Sequence, residues 1–225
     1  MNKQIKYLYF FLVLVICNSD AFGQTKWMNR EDSLYTIWRL EDLSCPGNPN
    51  SYLKFIEESG SVGYGVNAWF KERKMINDSL LKYLNIPRGK NLTLFIPDNF
   101  DSLTNARGSM NVYLLNFSNK TLFIPRIDAT LDSISEFIKV DNKWLQITKN
   151  KTSTCGNSYY KQKLEPSESN LFEVDYINQK TGTEVLRYKL VFNYYGKKIE
   201  SNEIQIKLFP NQLKRFLEEG MRKRH

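Results

Sequence analysis

The sequence predicts a mainly β protein: an antiparallel β-sandwich over residues 109–209, preceded by a mixed α/β segment and closed by a basic helix. Three observations predict it. Across residues 110–209, short apolar runs recur as eight strands at the spacing expected of a sandwich. Polar turn clusters, not helical patterns, separate those runs, which argues against βαβ units and a parallel sheet. The length of 225 residues suits one ordinary domain with a small companion, and 25% charged with 14% aromatic residues is a globular composition.

The first element is a leader. Lys3 and Lys6 precede an uninterrupted apolar run at residues 7–17, which is too short to cross a bilayer as a helix. Ala21-Phe22-Gly23 then places small residues at the two positions a signal peptidase reads, so residues 1–23 are expected to be a signal peptide cut before Gln24. The rival is a lipid-modified Cys17, with Ile16 standing where such motifs carry a small residue. Export makes the compartment oxidising, and removing the leader reduces three cysteines to Cys45 and Cys155. One disulfide is expected between them. Closing a loop of that length stabilises the chain by about 4–5 kcal/mol in the chain-entropy model. The alternative is two buried free thiols. Two cysteines without histidine fall short of a metal site.

Residues 24–108 read as mixed. Asp32 or Ser33 can cap a helix bearing Leu34, Ile37, Trp38 and Leu40, and Cys45 to Asn50 form a loop. Residues 51–58 suit a short helix, and residues 79–84, capped by Asp78, suit another that stops before Pro87. Residues 92–97 read as a strand, and the polar run 97–108 marks the boundary. Whether 24–108 is a separate domain or packs on the sandwich stays open at this level.

The strands follow. Residues 111–117 and 121–127 flank Ser118-Asn119-Lys120, and Pro125 argues for an edge or a bend. Residues 133–140 and 143–148 flank Asp141-Asn142, a hairpin signal. Residues 158–164 and 171–177 flank Glu165-Pro166-Ser167-Glu168. Residues 183–194 alternate, with Leu186, Tyr188, Leu190 and Phe192 on the inward face. Gly196-Lys197-Lys198 turns the chain, and Ile204, Ile206 and Leu208 supply the return. Residues 210–225 form an amphipathic basic tail with Leu213, Phe216 and Leu217 on one side.

Two resemblances follow from particular residues. Leu164-Glu165-Pro166-Ser167-Glu168 is similar to the L-x-P-G-E turn between middle strands of immunoglobulin-like β-sandwiches of bacterial exported proteins, and 186–190 looks like their penultimate strand. Ser167 replaces the usual Gly, and the paired cysteines and core tryptophan of antibody domains are missing, with Trp144 the candidate to fill the latter role. The leader ending Ala-Phe-Gly before Gln24, with the Lys-, Asn-, Ile- and Tyr-rich composition, resembles exported proteins of the Bacteroidota. Both imply a fold and a compartment rather than an activity.

The chemistry narrows by exclusion. The single histidine is His225, so triads and His-based metal sites have no imidazole inside the fold. Ser51 to Lys54 and Ser79 to Lys82 match S-x-x-K, Tyr176 to Asn178 matches Y-x-N, and Lys180-Thr181-Gly182 matches K-T-G. Asn178 and Lys180 share one turn, so they cannot line opposite walls of a cleft, and the matches are read as chance. Gly60, Gly63 and Gly65 fit no phosphate-binding pattern, and Glu57-Glu58 and Glu218-Glu219 are sequence neighbours that diverge on a helix. The five Asn-x-Ser/Thr matches (Asn77, Asn91, Asn116, Asn119 and Asn150) are read as chance in an Asn-rich chain.

The charge is the remaining signal. The chain carries +8, and losing Lys3, Lys6 and Asp20 with the leader leaves +7. Part of the excess lies in the tail, and part interleaves with aromatics at Tyr188, Lys189, Tyr194, Tyr195, Lys197 and Lys198, with Tyr159, Tyr160 and Lys161 nearby in strand order. Such a stripe can bind an anionic surface, although a solvated strand face carries the same residues.

The expectation is a non-enzymatic binding or interaction module of the periplasm or cell surface, with no cofactor. Its expected partner is an envelope protein or an anionic glycan or lipid surface, not intracellular nucleic acid. The rivals are a carboxylate hydrolase of an envelope polymer and an inhibitor or immunity-type protein presenting the loop 45–50. Intact mass of the exported chain tests the leader and the cysteines together. The expected mass is that of residues 24–225 less two hydrogens, which reduction restores. A chain beginning at an acylated Cys17, or one with no mass gain on reduction, contradicts the corresponding reading.

Overall fold

The computed structural model describes residues 33–37, 39–40, 49–60, 67–98, 109–147, 158–175 and 182–222. The expected leader with Cys17, the expected Cys45–Cys155 pairing, Tyr176 to Thr181 and the last three residues lie outside the described residues. The chain divides into two compact units, Met1–Ser61 and Val62–His225.

In the first unit residues 33–37 and 39–40 are helical, and helix α1 spans Pro49–Ser59. Gly60 stops α1 in a left-handed conformation at φ 65°, its N–H donating to the Ile56 carbonyl at 3.0 Å. Phe55 meets Tyr35 edge-on and stacks with Tyr52, with ring centroids 6.0 and 6.1 Å apart.

The second unit is mainly β, with two antiparallel sheets. Its elements are β1 (Ala68–Met75), α2 (Asp78–Leu84), β2 (Leu92–Phe95), β3 (Ser109–Asn116), β4 (Leu122–Ile127), β5 (Thr130–Leu131), β6 (Ile134–Val140) and β7 (Lys143–Gln146). Then come β8 (Tyr159–Leu164), β9 (Glu168–Asp175), β10 (Glu184–Tyr194), β11 (Lys197–Glu200), β12 (Ile204–Leu208) and α3 (Pro210–Arg222). The first sheet runs β2-β3-β9-β1-β5-β4-β8. The second runs β11-β10-β6-β7, with β12 also on β10.

One apolar cluster takes side chains from both sheets. Met110, Val112, Ile124, Phe172 and Val174 come from the first, and Ile134, Ile138, Tyr188, Leu190, Phe192 and Ile206 from the second. Burying each such side chain is worth about 1.5–3 kcal/mol, so this shared cluster is the main term holding the sheets together. The period-two reading of residues 183–194 is met here, because Tyr188, Leu190 and Phe192 are all fully buried.

The expected break at residue 108 runs through the middle of the first sheet. β1 pairs with β9 from Ala68↔Val174 to Met75↔Glu168, and β2 pairs with β3 from Leu92↔Asn116 to Phe95↔Tyr113. β1 escapes a periodicity reading because its alternation slips, with a bulge between Phe70 and Glu72. Before it, Ala68 and Phe70 face the shared core; after it, Glu72 lies opposite Leu171 on the outer face.

Local chemistry sets the remaining boundaries. Helix α2 is capped by Asn77, not Asp78: the Asn77 side chain accepts the Leu80 N–H at 2.9 Å. It ends at Asn85, which is left-handed at φ 55° and donates its backbone N–H to the last turn, two residues before Pro87. Its Leu81 and Leu84 cover Tyr113, Leu115 and Leu171 on the outer face of the first sheet. Pro125 sits inside β4 rather than at an edge. In an antiparallel strand one residue's N–H and carbonyl point to the same side, and the Pro125 carbonyl accepts from Asp132 N just past the two-residue β5. The missing donor therefore faces a place where the ladder has already ended. Asp141 and Asn142, at φ 47° and 61°, make the two-residue turn of the β6–β7 hairpin.

The turn Glu165–Glu168 is where three segments meet. Glu168 N donates to the Glu165 carbonyl, Ser167 N to the Asn116 carbonyl and Ile76 N to the Ser167 carbonyl. Asn116 is fully buried, and its amide donates to the carbonyls of Lys120, Leu164 and Glu165 while its oxygen accepts from Ser118. Ser167 holds φ 59°, the conformation that explains why Gly is usual there.

The return from β10 is broken. β11 and then β12 lie on the same side of β10, and between them the Ser201 hydroxyl accepts the Leu190 N–H at 2.9 Å. Asn202 spans to the first sheet, pairing with both the N–H and the carbonyl of Ile96 at 2.8 Å. Helix α3 follows, with Pro210 in its first turn and the Gln212 side chain accepting the Phe209 N–H at 2.9 Å. Phe216 enters the shared core and Leu213 packs against it. Gly182, of the K-T-G match, lies so close to this junction that an added Cβ would overlap the Leu208 carbonyl and the Phe209 nitrogen.

Two substitutions with opposite signs follow, both read by urea denaturation. Ser167→Gly relieves a left-handed cost of about 1–2 kcal/mol but adds unfolded-state entropy, for a net gain of about 0.5–1 kcal/mol. Gly182→Ala forces backbone apart and should cost about 2 kcal/mol or more.

Candidate functional site

The basic-aromatic stripe is split by the fold. Tyr188 is not on the surface: it is fully buried, and its hydroxyl donates to Glu136 at 2.7 Å. Its assignment to a binding surface is corrected by its own alternation, since it shares the inward face with Leu190 and Phe192. Lys189 faces the other way but is also buried. Its ammonium is 2.7 Å from Glu200 and 4.3 Å from the centroid of the Trp144 ring. Trp144 thus lies half-buried on the outer face of the second sheet, under Lys189 and Lys139, and does not fill the place of a core tryptophan.

The hairpin tip beyond them is different. The turn is Tyr195-Gly196, one residue earlier than Gly196-Lys197-Lys198, so both lysines lie in β11. Tyr195 and Gly196 have φ 49° and 84°, the shape of a two-residue hairpin turn whose first position favours Asn, Asp or Gly. Placing Tyr there costs about 1 kcal/mol. Its side chain is nonetheless fixed: the hydroxyl donates to the Phe123 carbonyl at 3.1 Å, Lys161 Nζ lies 5.6 Å from the ring centroid, and Tyr194 packs edge-on at 4.8 Å. The Tyr195 ring remains 58% exposed. Burial pushes the Tyr194 phenol up, the Phe123 backbone draws it back, and Tyr195 adds to the rise.

Around Tyr195 the β4–β8 ribbon extends the surface. Phe123 lies opposite Lys163 and Pro125 opposite Lys161, so these four side chains share the face turned away from Ile124 and the core. Phe123 and Tyr159 are exposed, as are Lys161, Lys163 and Lys197. Lys197 pairs with Tyr194, whereas Lys198 pairs with Asn193 and belongs to the opposite face of the hairpin. Tyr195 and Lys161 are thus brought together, Lys197 lies exposed at the same end of the hairpin, Tyr188 and Lys189 are withdrawn, and Lys198 is on the opposite face. Sequence reasoning missed Phe123 and Lys163. Period-two spacing from buried Ile124 and Leu164 was the signal that could have found them.

Beneath this ribbon Arg126 is buried. Its guanidinium donates to the carbonyls of Thr130 and Ala129 at 2.8 and 2.6 Å and to the Gln162 side chain, and lies 5.0 and 5.2 Å from the Phe70 and Phe172 rings. Burial draws its pKa down.

A second candidate is a groove of about 580 Å³ on the outer face of the first sheet, beside α2. Tyr113 and Leu171 are its buried lining residues, and Lys71, Glu72, Lys74, Asn77 and Tyr83 rim it. Its lysines are already committed: Lys71 lies 2.5 Å from Glu173, and Lys74 2.8 Å from Glu72. Burial, then Tyr83 and Glu72, pushes the Tyr113 phenol up to about 12, so it stays protonated. The groove has the volume of a small-molecule site but no uncompensated charge to select a ligand.

Among the described residues no three His, Cys, Asp or Glu side chains are placed to hold a metal ion, and no helix is long and apolar enough to cross a membrane. No protein-family model matches the chain, and neither a characterised protein nor a solved structure shows significant similarity to it.

The split of the stripe is measurable. Lys189→Ala removes a buried side chain and the cation over Trp144, while half-exposed Glu200 turns to solvent, and should cost about 1–2 kcal/mol in urea denaturation. Lys197→Ala and Lys198→Ala should stay within about 0.5 kcal/mol of the parent.

Proposed function

We propose that the protein is a non-enzymatic binding module, exported by its leader to the periplasm or cell surface, with Cys17 acylation as the alternative route to the envelope. We read its two sheets as a β-sandwich of immunoglobulin type. The cluster shared by both sheets and the Glu165–Glu168 turn support that reading. The first sheet departs from the usual plan by its seven strands, with β1 inserted between β9 and β5.

The observation that carries the binding function is Tyr195. A bulky ring occupies a turn position that disfavours it, is tied by its hydroxyl to the other sheet, and is left open to solvent beside Lys161. Local strain retained at an exposed, fixed side chain marks a surface kept for contact rather than for packing. The contact surface is Tyr195, Phe123, Lys161, Lys163 and Lys197.

The test is capture from an envelope extract of the source organism by the immobilised mature chain, residues 24–225, at moderate salt. The parent should retain a defined component that the Lys161→Ala/Lys197→Ala/Tyr195→Ala variant, matched in its circular dichroism, does not. Equal retention by both, or none by the parent, rejects this surface.

A further inference from the structure

We infer that the surface formed by Tyr195 and the outer face of the β4–β8 ribbon binds an acidic polysaccharide. The inference rests on the binding-module reading and gives its ligand a chemical class.

Charge comes first. Lys161, Lys163 and Lys197 are exposed, and among the described residues none of them takes part in an ion pair. The contrast with β1 is direct, since Lys71, Arg73 and Lys74 each have a carboxylate within 4.0 Å. Of the acids nearby in sequence, Glu200 is paired with Lys189, whereas Glu165 and Asp132 accept from the Thr121 and Ser133 hydroxyls and keep their charge. Asp128 stays exposed at the β4–β5 turn. Within the paired stretch the outer face carries Phe123, Pro125, Tyr159, Lys161 and Lys163 and no acid, a local positive field that an anion would complete.

Shape and ring chemistry choose among anions. Phe123 and Tyr195 present exposed aromatic surface, and Tyr195 is pinned through Phe123's own carbonyl. Flat rings fixed beside ammonium groups suit a sugar, whose C–H face stacks on an aromatic ring while its carboxylate or sulfate meets the lysine. Lys161 and Lys163 lie two residues apart on one strand face, a linear array for a linear polyanion. An acidic lipid bilayer fits less well. Three lysines add only modest attraction to an anionic membrane, and the Tyr195 ring, tied by its hydroxyl to the Phe123 carbonyl, is not free to insert among acyl chains.

The test titrates the mature chain with heparin and with polygalacturonate, using dextran as neutral control and phosphatidylserine vesicles as the lipid arm. Both acidic polysaccharides should bind and dextran should not. Lys161→Ala/Lys163→Ala should weaken binding at least about fivefold and flatten its salt dependence. Tyr195→Ala should weaken it about threefold or more at a salt concentration that screens the lysines, and Lys143→Ala/Lys207→Ala, at exposed lysines away from the ribbon, should change nothing. Equal weakening by the two lysine pairs would show attraction to overall charge and overturn the inference, as would tighter binding to vesicles than to either polysaccharide. If no polysaccharide binds while capture from envelope extract still depends on Lys161 and Tyr195, the ligand class is wrong and the surface stands. If that capture fails too, both readings fall.

Discussion

The first sheet depends on Arg126. Between β1 and β4 its continuity passes through β5, which is two residues long and meets β1 at the single pair Trp69↔Thr130. A ladder that short cannot by itself carry the β4–β8 ribbon. Arg126 supplements it from inside: its guanidinium ties down the Ala129 and Thr130 carbonyls, reaches Gln162 on β8, and rests between Phe70 of β1 and Phe172 of β9. Five strands thus meet at one side chain. Burying a cation is unfavourable, which is why its pKa falls, but carbonyl dipoles and ring faces offset much of that cost. Lysine could not replace it, since a point charge cannot serve two carbonyls and an amide in one plane.

The exposed surface inherits its geometry from this clamp. Phe123 is three residues from Arg126 on the same strand, and the Tyr195 hydroxyl bonds to the Phe123 backbone. The hairpin tip of the second sheet is therefore registered against a strand whose position is set in the interior of the first. For the proposed binding role, rigidity under these residues lowers the entropy lost on binding. The groove beside α2 is also built on packed strands, but its charges are spent on one another.

Much of the fold was legible because strands with one buried face announce themselves at period two. The inward set Leu186, Tyr188, Leu190 and Phe192, the Asp141-Asn142 hairpin, the short helix before Pro87 and the tail helix were read correctly to within a residue or two. β1 was not, because Lys71, Glu72, Arg73 and Lys74 dominate its composition and the bulge reverses its alternation midway. That omission placed the boundary at 108 and hid the fact that the 24–108 segment supplies two strands of the sheet. The candidate site was half legible for a related reason. Sequence adjacency grouped Tyr188 to Lys198 as one stripe, whereas pleating sends neighbours to opposite faces and pairing brings in Phe123 and Lys163 from elsewhere. Nothing in one sequence marks Arg126 as buried, since arginine is ordinarily a surface residue.

The double bond from Asn202 to Ile96 has a further consequence. β2 is an outermost strand of the first sheet, and an outermost strand offers unpaired backbone groups to any passing chain. Asn202 occupies the N–H and the carbonyl of Ile96 at once, closing the ladder just past the end of β2 with a side chain instead of another strand. At the far side β8 is edged with Lys161 and Lys163, so a second copy approaching it edge to edge would set like charges beside one another. A long β-rich chain exposes such borders each time it folds. These two borders oppose its polymerisation into fibres, and they do so along the strand edges, leaving the lysine-bearing face of the ribbon open.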